Sequence, residues 1–120
     1  MTVYVTLEDL LERVADTGLV VRDMGLLDSA AARPQASVFG EDAYPTLAET
    51  AAALMHSIAQ NEALLDGNKR LALGSALLML HLNDARSAAS HDELFDLMID
   101  MSSGPNDVAT IAARLNVVPQ

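Results

Sequence analysis

Almost all of the apolar residues in this chain are aliphatic, and many of them recur at helical spacing. About half of the 120 residues are hydrophobic (51%), yet there are only two Tyr and two Phe, and no Trp. A core of mainly Leu, Ala and Met with few β-branched residues favours packed helices over a sheet. A chain of this length is long enough for one domain with one core. We therefore predict an all-α fold, a compact helical bundle in a single domain over residues 1–120.

Local start and stop signals divide the chain into helices joined by one irregular connection. Thr6 is a candidate N-cap for the first helix, and Gly18 is a natural stop for it. The capping-box pattern, a Ser or Thr followed three residues later by Glu, marks two later helix starts at Thr46 and Ser90. Turn formers over 35–43 interrupt the helical pattern and predict a loop or small hairpin on the surface. The six predicted helices cover residues 7–18, 21–34, 44–61, 68–83, 90–103 and 108–116.

The composition argues against several classes of function. The formal charge is −10 with a pI near 4.4, so nucleic acid is not expected as the main partner, because phosphate binding needs a basic face. The absence of cysteine excludes disulfides and thiolate zinc sites and fits a reducing cytoplasm. The longest apolar run, residues 71–82, is too short to span a bilayer, and no signal peptide opens the chain. We expect a cytoplasmic protein that binds neither membrane nor nucleic acid directly.

The stretch LLDGNKRLAL carries the clearest chemical motif. Asn68 lies where a helix should begin after Gly67, and the first backbone N–H groups of a helix bind anions readily. Lys69 and Arg70 in the first turn are placed to reach a phosphate, although cations there oppose the helix dipole. Asp66 can hold a Mg²⁺ ion, which prefers one or two carboxylates together with phosphate oxygens. The motif indicates Mg-nucleotide binding; the alternative is an ordinary turn and cap followed by a solvated Lys-Arg pair.

The segment ALLDGNKRLAL resembles the signature of the Fic/Doc family, which runs His-x-Phe-x-Asp/Glu-Gly-Asn-Gly/Lys-Arg. Upstream, GLLDSAAARP and YPTLAETAAAL are similar to Doc-type segments on either side of a flap, so the resemblance covers residues 5–100. Lys69 stands where AMP-transferring Fic enzymes have glycine. It points to the Doc branch, the toxins of Phd/Doc toxin–antitoxin pairs. The fold that the resemblance implies is the compact helical Fic core.

The resemblance also implies an activity and a role for each residue of the motif. Doc-like proteins transfer the γ-phosphate of ATP, bound with Mg²⁺, to a threonine of elongation factor Tu, and translation stops. By resemblance, Asp66 coordinates Mg²⁺ and Arg70 binds a phosphate by its planar fork. Gly67 and Asn68 form the anion hole in this reading, and Lys69 crowds the nucleotide pose of AMP transfer. Phosphoryl transfer relies on positioning and charge neutralisation, which these residues can supply.

Glu62 departs from the family pattern. Counting back from Asn68, residue 62 is the place of the family's general-base histidine, and Leu64 replaces the family's aromatic residue. A histidine would take the proton from the target hydroxyl near neutral pH. Glu62 would be a weaker base and would put a negative charge beside the phosphates. We expect strongly impaired catalysis, in a deliberately disarmed protein or in a natural variant; the other alternative is that Glu62 serves as the base.

Outside the motif, Arg33 belongs to an Arg-Pro segment that borders the flap in the resemblance, so one interpretation gives it a substrate role. The other interpretation is a cation that suits the C-terminal end of a helix. The spacing of His56, His81 and His91 matches no metal-ligand pattern. The methionines on helix faces are interpreted as core residues: Met55, Met79, Met98 and Met101.

Two classes of function remain. The first is an ATP-dependent phosphotransferase acting on elongation factor Tu, with AMP transfer as its rival within the class. The second is a catalytically dead module that binds a Phd-like antitoxin and tunes repression of their operon. Tight Mg-ATP binding with slow transfer favours the first, and antitoxin binding without nucleotide affinity favours the second.

Overall fold

The first helix is bounded by the signals that the sequence carries. The computed structural model of the protein describes residues 1–101 and 106–120. In α1 (Leu7–Thr17), the Thr6 side chain accepts a hydrogen bond from the N–H of Asp9, and the Asp9 carboxylate accepts one from the N–H of Thr6. This capping box satisfies the N–H groups of Thr6 at the N-cap and of Asp9 three residues later. Gly18 ends the helix in the left-handed region, with φ 73°.

The second helix is shorter than predicted at both ends. Asp23 caps α2 (Met24–Ala32), so the helix begins at residue 24 rather than 21. Pro34 has no N–H with which to continue the α-helical bonds, and the chain tightens into a single 3-10 turn (Arg33–Gln35). The carbonyl of Ala30, which residue 34 would otherwise bind, accepts instead from the buried hydroxyl of Ser57 at 2.8 Å.

A surface hairpin follows this turn. Strand β1 (Ser37–Val38) pairs antiparallel with β2 (Glu41–Asp42), which confirms the hairpin predicted within 35–43. Phe39 and Gly40 form its tip, both with positive φ, and the Phe39 side chain is fully exposed.

The third helix lies at the centre of the fold. The remaining helices are α3 (Leu47–Asn61), α4 (Asn68–Leu82), α5 (His91–Asp100) and α6 (Val108–Leu115). α3 packs against α2, α4 and α6. Six consecutive residues of α3, from 50 to 55, are buried, so this helix is covered on all sides. Its small side chains Ala51, Ala52 and Ala53 permit close approach of the neighbouring helices.

Among the residues that the structure describes, the predicted six helices and the all-α class are confirmed, and there is a small sheet that the sequence did not predict. Strand β3 (Ala85–Ser87) follows α4 and pairs antiparallel with β4 (Val117–Pro119). α5 ends at Asp100, with Met101 as its C-cap. Residues 102 and 103, over which the sequence predicts its continuation, and the first half of the predicted break at 104–107 lie outside the described residues. Within the described residues, no helix is both long enough and apolar enough to cross a membrane.

Candidate phosphate-binding site

The connection between α3 and α4 is held in place from its first residue. Glu62 ends α3 in the left-handed conformation (φ 49°, ψ 48°), which turns the chain sharply towards α4. The Glu62 carbonyl accepts a hydrogen bond from Arg22 Nη2 at 2.6 Å. A charged donor at this distance is among the stronger hydrogen bonds. Arg22 therefore fixes the backbone at the position where the family resemblance places the base.

A short extended segment before α2 braces the same connection. The N–H of Arg22 donates to the carbonyl of Ala63 at 2.7 Å, and the N–H of Leu65 donates to the carbonyl of Val20 at 3.0 Å. Val21 and Leu64 are thereby paired as an isolated antiparallel bridge. Sequence reasoning missed this brace; its local signal is the β-branched Val20–Val21 pair, which favours extended backbone.

Asn68 closes the connection from the other side. Its Oδ1 accepts from the N–H of Leu64 at 2.9 Å, and its Nδ2 donates to the carbonyl of Leu64 at 3.1 Å. Leu64 is buried, so both of its backbone groups depend on this amide for hydrogen bonds. Asn68 thus has a structural role in the loop that the sequence did not predict, beside its predicted place in the anion hole.

Gly67 is required by two separate features of the backbone. Its φ is +82°, which L side chains rarely adopt. A Cβ built at this position would also lie 2.8 Å from Leu19 Cδ2 and 3.2 Å from Arg70 Nη2. The positive φ therefore suits glycine, and the close approach of Leu19 is an additional constraint.

The N-terminus of α4 has no side-chain cap. Gly67 occupies the N-cap position, where most helices place a Ser, Thr, Asp or Asn oxygen, and none of the side chains that the structure describes accepts a hydrogen bond there. The first N–H groups of a helix together carry the positive end of its dipole. An uncapped helix start of this kind is suited to an anion.

An open cleft of about 630 Å³ lies in front of this helix start. Its lining contains the whole polar motif together with neighbouring residues of α3, α5 and the connection. The lining residues are Ala59, Gln60, Glu62, Leu65, Asp66, Gly67, Asn68, Lys69, Arg70, Met98 and Met101. The structure therefore brings together every predicted residue of the site except Arg33.

Asp66 and Arg70 face each other loosely at the mouth of the cleft. Arg70 Nη2 lies 4.0 Å from Asp66 Oδ2, and the two side chains are 65% and 93% exposed. An ion pair this long and this exposed contributes little to stability. Both charged groups are thus available to a ligand.

The donor set at Asp66 suits Mg²⁺ held jointly with a nucleotide. Within the described residues, no group of three His, Asp or Glu side chains could hold a metal ion by itself. One carboxylate beside an uncapped helix start matches the way Mg²⁺ binds, through one or two carboxylates and the phosphate oxygens. The residues fit a metal that arrives with its phosphates.

Two methionines at the end of α5, Met98 within the helix and Met101 at its C-cap, were missed as part of the cleft. Met55 and Met79 are fully buried and Met101 nearly so, which confirms the core interpretation for these three. Met98 is only partly buried, and Met98 and Met101 both line the cleft. A thioether side chain adapts its shape to an irregular apolar ligand surface.

Arg33 lies at the base of the hairpin rather than in the cleft. Its Nε donates to Tyr44 Oη at 3.1 Å, its guanidinium lies 5.8 Å from the Tyr44 ring centre, and its Nη1 contacts His56 Nδ1. Burial, followed by the charge of Arg33, lowers the pKa of His56, and Asp107 opposes this shift. Arg33 also forms the C-cap of α2, but its side chain is engaged with these two residues.

Comparison with known proteins gives the same family as the motif. The sequence profile of the Fic/DOC family matches residues 4–80, which include the braced connection and most of α4. The chain belongs to the Fic/DOC family. It is also 49% identical over 120 aligned residues to a protein named Toxin Doc from Mycolicibacterium smegmatis, with 96% of this chain and 92% of that protein covered. Nine of the eleven residues that line the cleft lie within the matched region, and Met98 and Met101 lie outside it.

Proposed function

We propose that this chain is a Doc-like toxin of a toxin–antitoxin pair, which transfers the γ-phosphate of ATP to a threonine of elongation factor Tu, with activity reduced by Glu62. One observation carries the proposal: an uncapped helix start opens on a 630 Å³ cleft lined by Asp66, Lys69 and Arg70. Members of the Fic/DOC family are generally transferases that act on proteins. The identity to Toxin Doc supports the toxin assignment.

The motif supplies the charge neutralisation that phosphoryl transfer needs. The first N–H groups of α4 and the Arg70 guanidinium would receive the phosphate oxygens. Asp66 would hold the Mg²⁺ of the nucleotide, and the bound metal would neutralise part of the phosphate charge. Lys69 in the first turn adds a positive charge on the same side of the cleft. Positioning and electrostatics of this kind account for most of the catalysis in phosphoryl transfer.

Glu62 is the residue that limits the proposed reaction. The threonine hydroxyl oxygen would bond to the γ-phosphorus while the bond to the β,γ-bridging oxygen breaks, and ADP would leave. The hydroxyl proton needs a base, and Glu62 is the lining residue in the family's base position. A carboxylate is ordinarily a weaker base than imidazole near neutral pH, and its negative charge repels the phosphates. Binding without fast transfer is the expected behaviour.

The test is transfer from γ-labelled Mg·ATP to elongation factor Tu by the unchanged chain, Glu62→His and Glu62→Gln. Histidine tolerates the left-handed conformation of residue 62 better than most residues, so Glu62→His should fold with the same connection. We expect Glu62→His to label the target about 100-fold faster or more, the usual contribution of a positioned base. Glu62→Gln controls for loss of the charge alone and should stay slow.

Two results would count against this proposal. Equal rates for Glu62→His and Glu62→Gln, with both variants folded, would show that position 62 does not act through proton transfer. Labelling of the target from α-labelled but not from γ-labelled ATP would replace phosphate transfer by AMP transfer. Lys69 argues against that alternative, because a side chain there crowds the nucleotide pose of AMP transfer.

A catalytically dead antitoxin-binding module is the second candidate. The observation in its favour is that no histidine is found among the described residues that line the cleft. In that case a Phd-like antitoxin would bind the folded chain, while Mg·ATP would not. Calorimetry with the antitoxin and with Mg·ATP separates the two candidates, since the phosphotransferase must bind the nucleotide.

A further inference from the structure

Arg13 of α1 lies directly against α4 at a glycine. A Cβ built on Gly74 would lie 2.3 Å from Arg13 Nη2 and 3.1 Å from Arg13 Cζ, so the guanidinium occupies the space that any other residue at 74 would fill. Arg13 Nε is buried and has no hydrogen-bond partner within the part of the chain that the structure describes. A buried charged donor without a partner is costly, so a ligand that supplies an acceptor would bind here favourably.

Arg13 lines a second cavity, smaller than the cleft. The cavity measures about 160 Å³, and its lining residues are Arg13, Thr17, Leu19, Arg70 and Leu71. At about 30 Å³ per water molecule in the liquid, this space holds several waters, or one carboxylate or phosphate group. We call it the Arg13–Arg70 cavity.

The charge of the Arg13–Arg70 cavity is unusual for this chain. The protein has 7 Lys and Arg residues against 17 Asp and Glu residues, yet two arginines and no described acidic residue line this small space. Like charges in one partly desolvated space repel each other. An anion between the two guanidiniums would relieve that repulsion and would offset the cost of burying Arg13 Nε without a partner.

Arg70 connects the Arg13–Arg70 cavity to the cleft, because it lines both. Its side chain is 65% exposed and its contact with Asp66 is long, at 4.0 Å, so it can turn towards either space. We propose that the Arg13–Arg70 cavity is a second oxyanion site, for a carboxylate or phosphate group, separate from the uncapped start of α4.

An occupant of this second site competes with the cleft for Arg70. An anion that draws Arg70 towards Arg13 removes a positive charge from the cleft and weakens the binding of a phosphate there. By thermodynamic linkage, a nucleotide in the cleft weakens binding of that anion to the same degree. Two kinds of ligand present such an oxyanion: an acidic side chain of a protein partner, and free phosphate.

The direct test is a titration followed through the Nε–H signals of the arginines in an ¹H–¹⁵N spectrum. Inorganic phosphate and acetate are added in separate titrations. Each replaces chloride, so that the ionic strength stays constant. We expect a saturable shift of the Arg13 Nε–H signal in the unchanged chain. A response to acetate alone supports a carboxylate occupant, a response to phosphate alone supports a phosphate group, and responses to both support a general oxyanion site.

Matched variants decide whether the signal reports this cavity. In Arg13→Gln and Gly74→Ala, the backbone amides of Thr17 and Leu71 should no longer respond to the anion. Arg86→Gln removes an equal charge at an exposed residue of strand β3 and should respond normally. Either variant suffices if the other does not fold. No shift of Arg13 Nε–H with either anion, or an unaltered response in Arg13→Gln, would overturn the proposal.

A second readout tests the coupling. Saturating acetate should raise the Kd of Mg·ATP about fivefold in the unchanged chain and leave it unchanged in Arg13→Gln. The arginine signals need neither nucleotide nor transfer, so they decide the second site even if the chain proves not to bind ATP. If acetate weakened ATP binding equally in the unchanged chain and in Arg13→Gln, the claim that the cleft and the Arg13–Arg70 cavity share Arg70 would be contradicted.

Discussion

The side-chain amide of Asn68 hydrogen-bonds both backbone groups of Leu64, so the first residue of α4 holds the loop that precedes its own helix. This relationship explains how a connection of six residues, 62–67, is placed reproducibly in front of an uncapped helix start. With the bridge between Val21 and Leu64, it keeps Asp66 at the mouth of the cleft. Loop geometry and phosphate site therefore depend on the same residue.

Asn68→Ala should destabilise the protein and weaken nucleotide binding together. Removing the amide leaves the buried N–H and C=O of Leu64 without partners, which costs about 2–6 kcal/mol at 1–3 kcal/mol per group. Urea unfolding measures the loss. Asn68→Asp is the control, since it keeps the acceptor for the Leu64 N–H and should lose about half as much. A loss below about 0.5 kcal/mol for Asn68→Ala would show that this amide does not hold the loop.

A comparison of Gly67→Ala with Gly40→Ala separates the cost of a left-handed backbone from the cost of the steric contact with Leu19. Both glycines have φ near +80°, but a Cβ at Gly40 meets nothing within 4 Å whereas at Gly67 it lies 2.8 Å from Leu19. We expect Gly40→Ala to cost about 1 kcal/mol, the penalty for a left-handed L residue. Gly67→Ala should cost about 1 kcal/mol more, because Leu19 must move. Equal losses in thermal unfolding would mean that Leu19 moves freely.

His56 should make the protein less stable as the pH falls from 7.5 to 5.5. Burial and the charge of Arg33 lower its pKa below the ordinary 6.5, so below that value the unfolded chain binds the proton more readily than the folded chain. His56→Gln should flatten this part of the profile, whereas His81→Gln, at an exposed site, should preserve it. The measurement is the urea midpoint at each pH. An unchanged slope in His56→Gln would assign it to other groups.

Two helix-capping carboxylates act in a lower pH range. Hydrogen bonds from Thr110 lower the pKa of Asp107, and hydrogen bonds from Ser90 lower that of Glu93. Their stabilisation is complete above their ordinary pKa values of 3.8 and 4.5, and is lost as the pH falls through the lowered values. Their titration therefore does not overlap with the change expected for His56.

Glu62→Gln should bind Mg·ATP more tightly than the unchanged chain. The substitution removes a negative charge from the lining of the cleft while keeping the size of the side chain. Reduced repulsion of the phosphates is worth about 1 kcal/mol, or roughly fivefold in Kd. Glu41→Gln, on the exposed hairpin, makes the same charge change away from the cleft and should have no effect. Equal affinities for the two variants would place the phosphates away from residue 62.

The features that sequence reasoning predicted are local ones. The capping box of Ser90 and Glu93 and the stop at Gly18 involve residues within one turn of each other, and the structure has both. The pairing of β3 with β4 joins residues about 30 positions apart and has no local signature, since three-residue strands carry too little periodicity to read. Helix count was thus accessible from the sequence, whereas the small sheet was not.

The same division applies to the site. Asp66, Gly67 and the first turn of α4 come from one continuous stretch, so their meeting at the cleft could be predicted from helix-terminus chemistry. Arg22 and Met98 reach the site from distant elements, and only packing brings them there. The contact of Arg33 with His56 likewise depends on how α2 lies against α3.

The most direct measurement is a calorimetric titration of Mg·ATP into the unchanged chain, Arg70→Gln and Arg86→Gln. We expect the unchanged chain and Arg86→Gln to bind alike. Arg70→Gln should bind at least about tenfold more weakly, because a charge-assisted hydrogen bond to phosphate is lost. Absence of binding to the folded unchanged chain, or equal binding by Arg70→Gln and Arg86→Gln, would contradict the claim that the start of α4 is a nucleotide phosphate site.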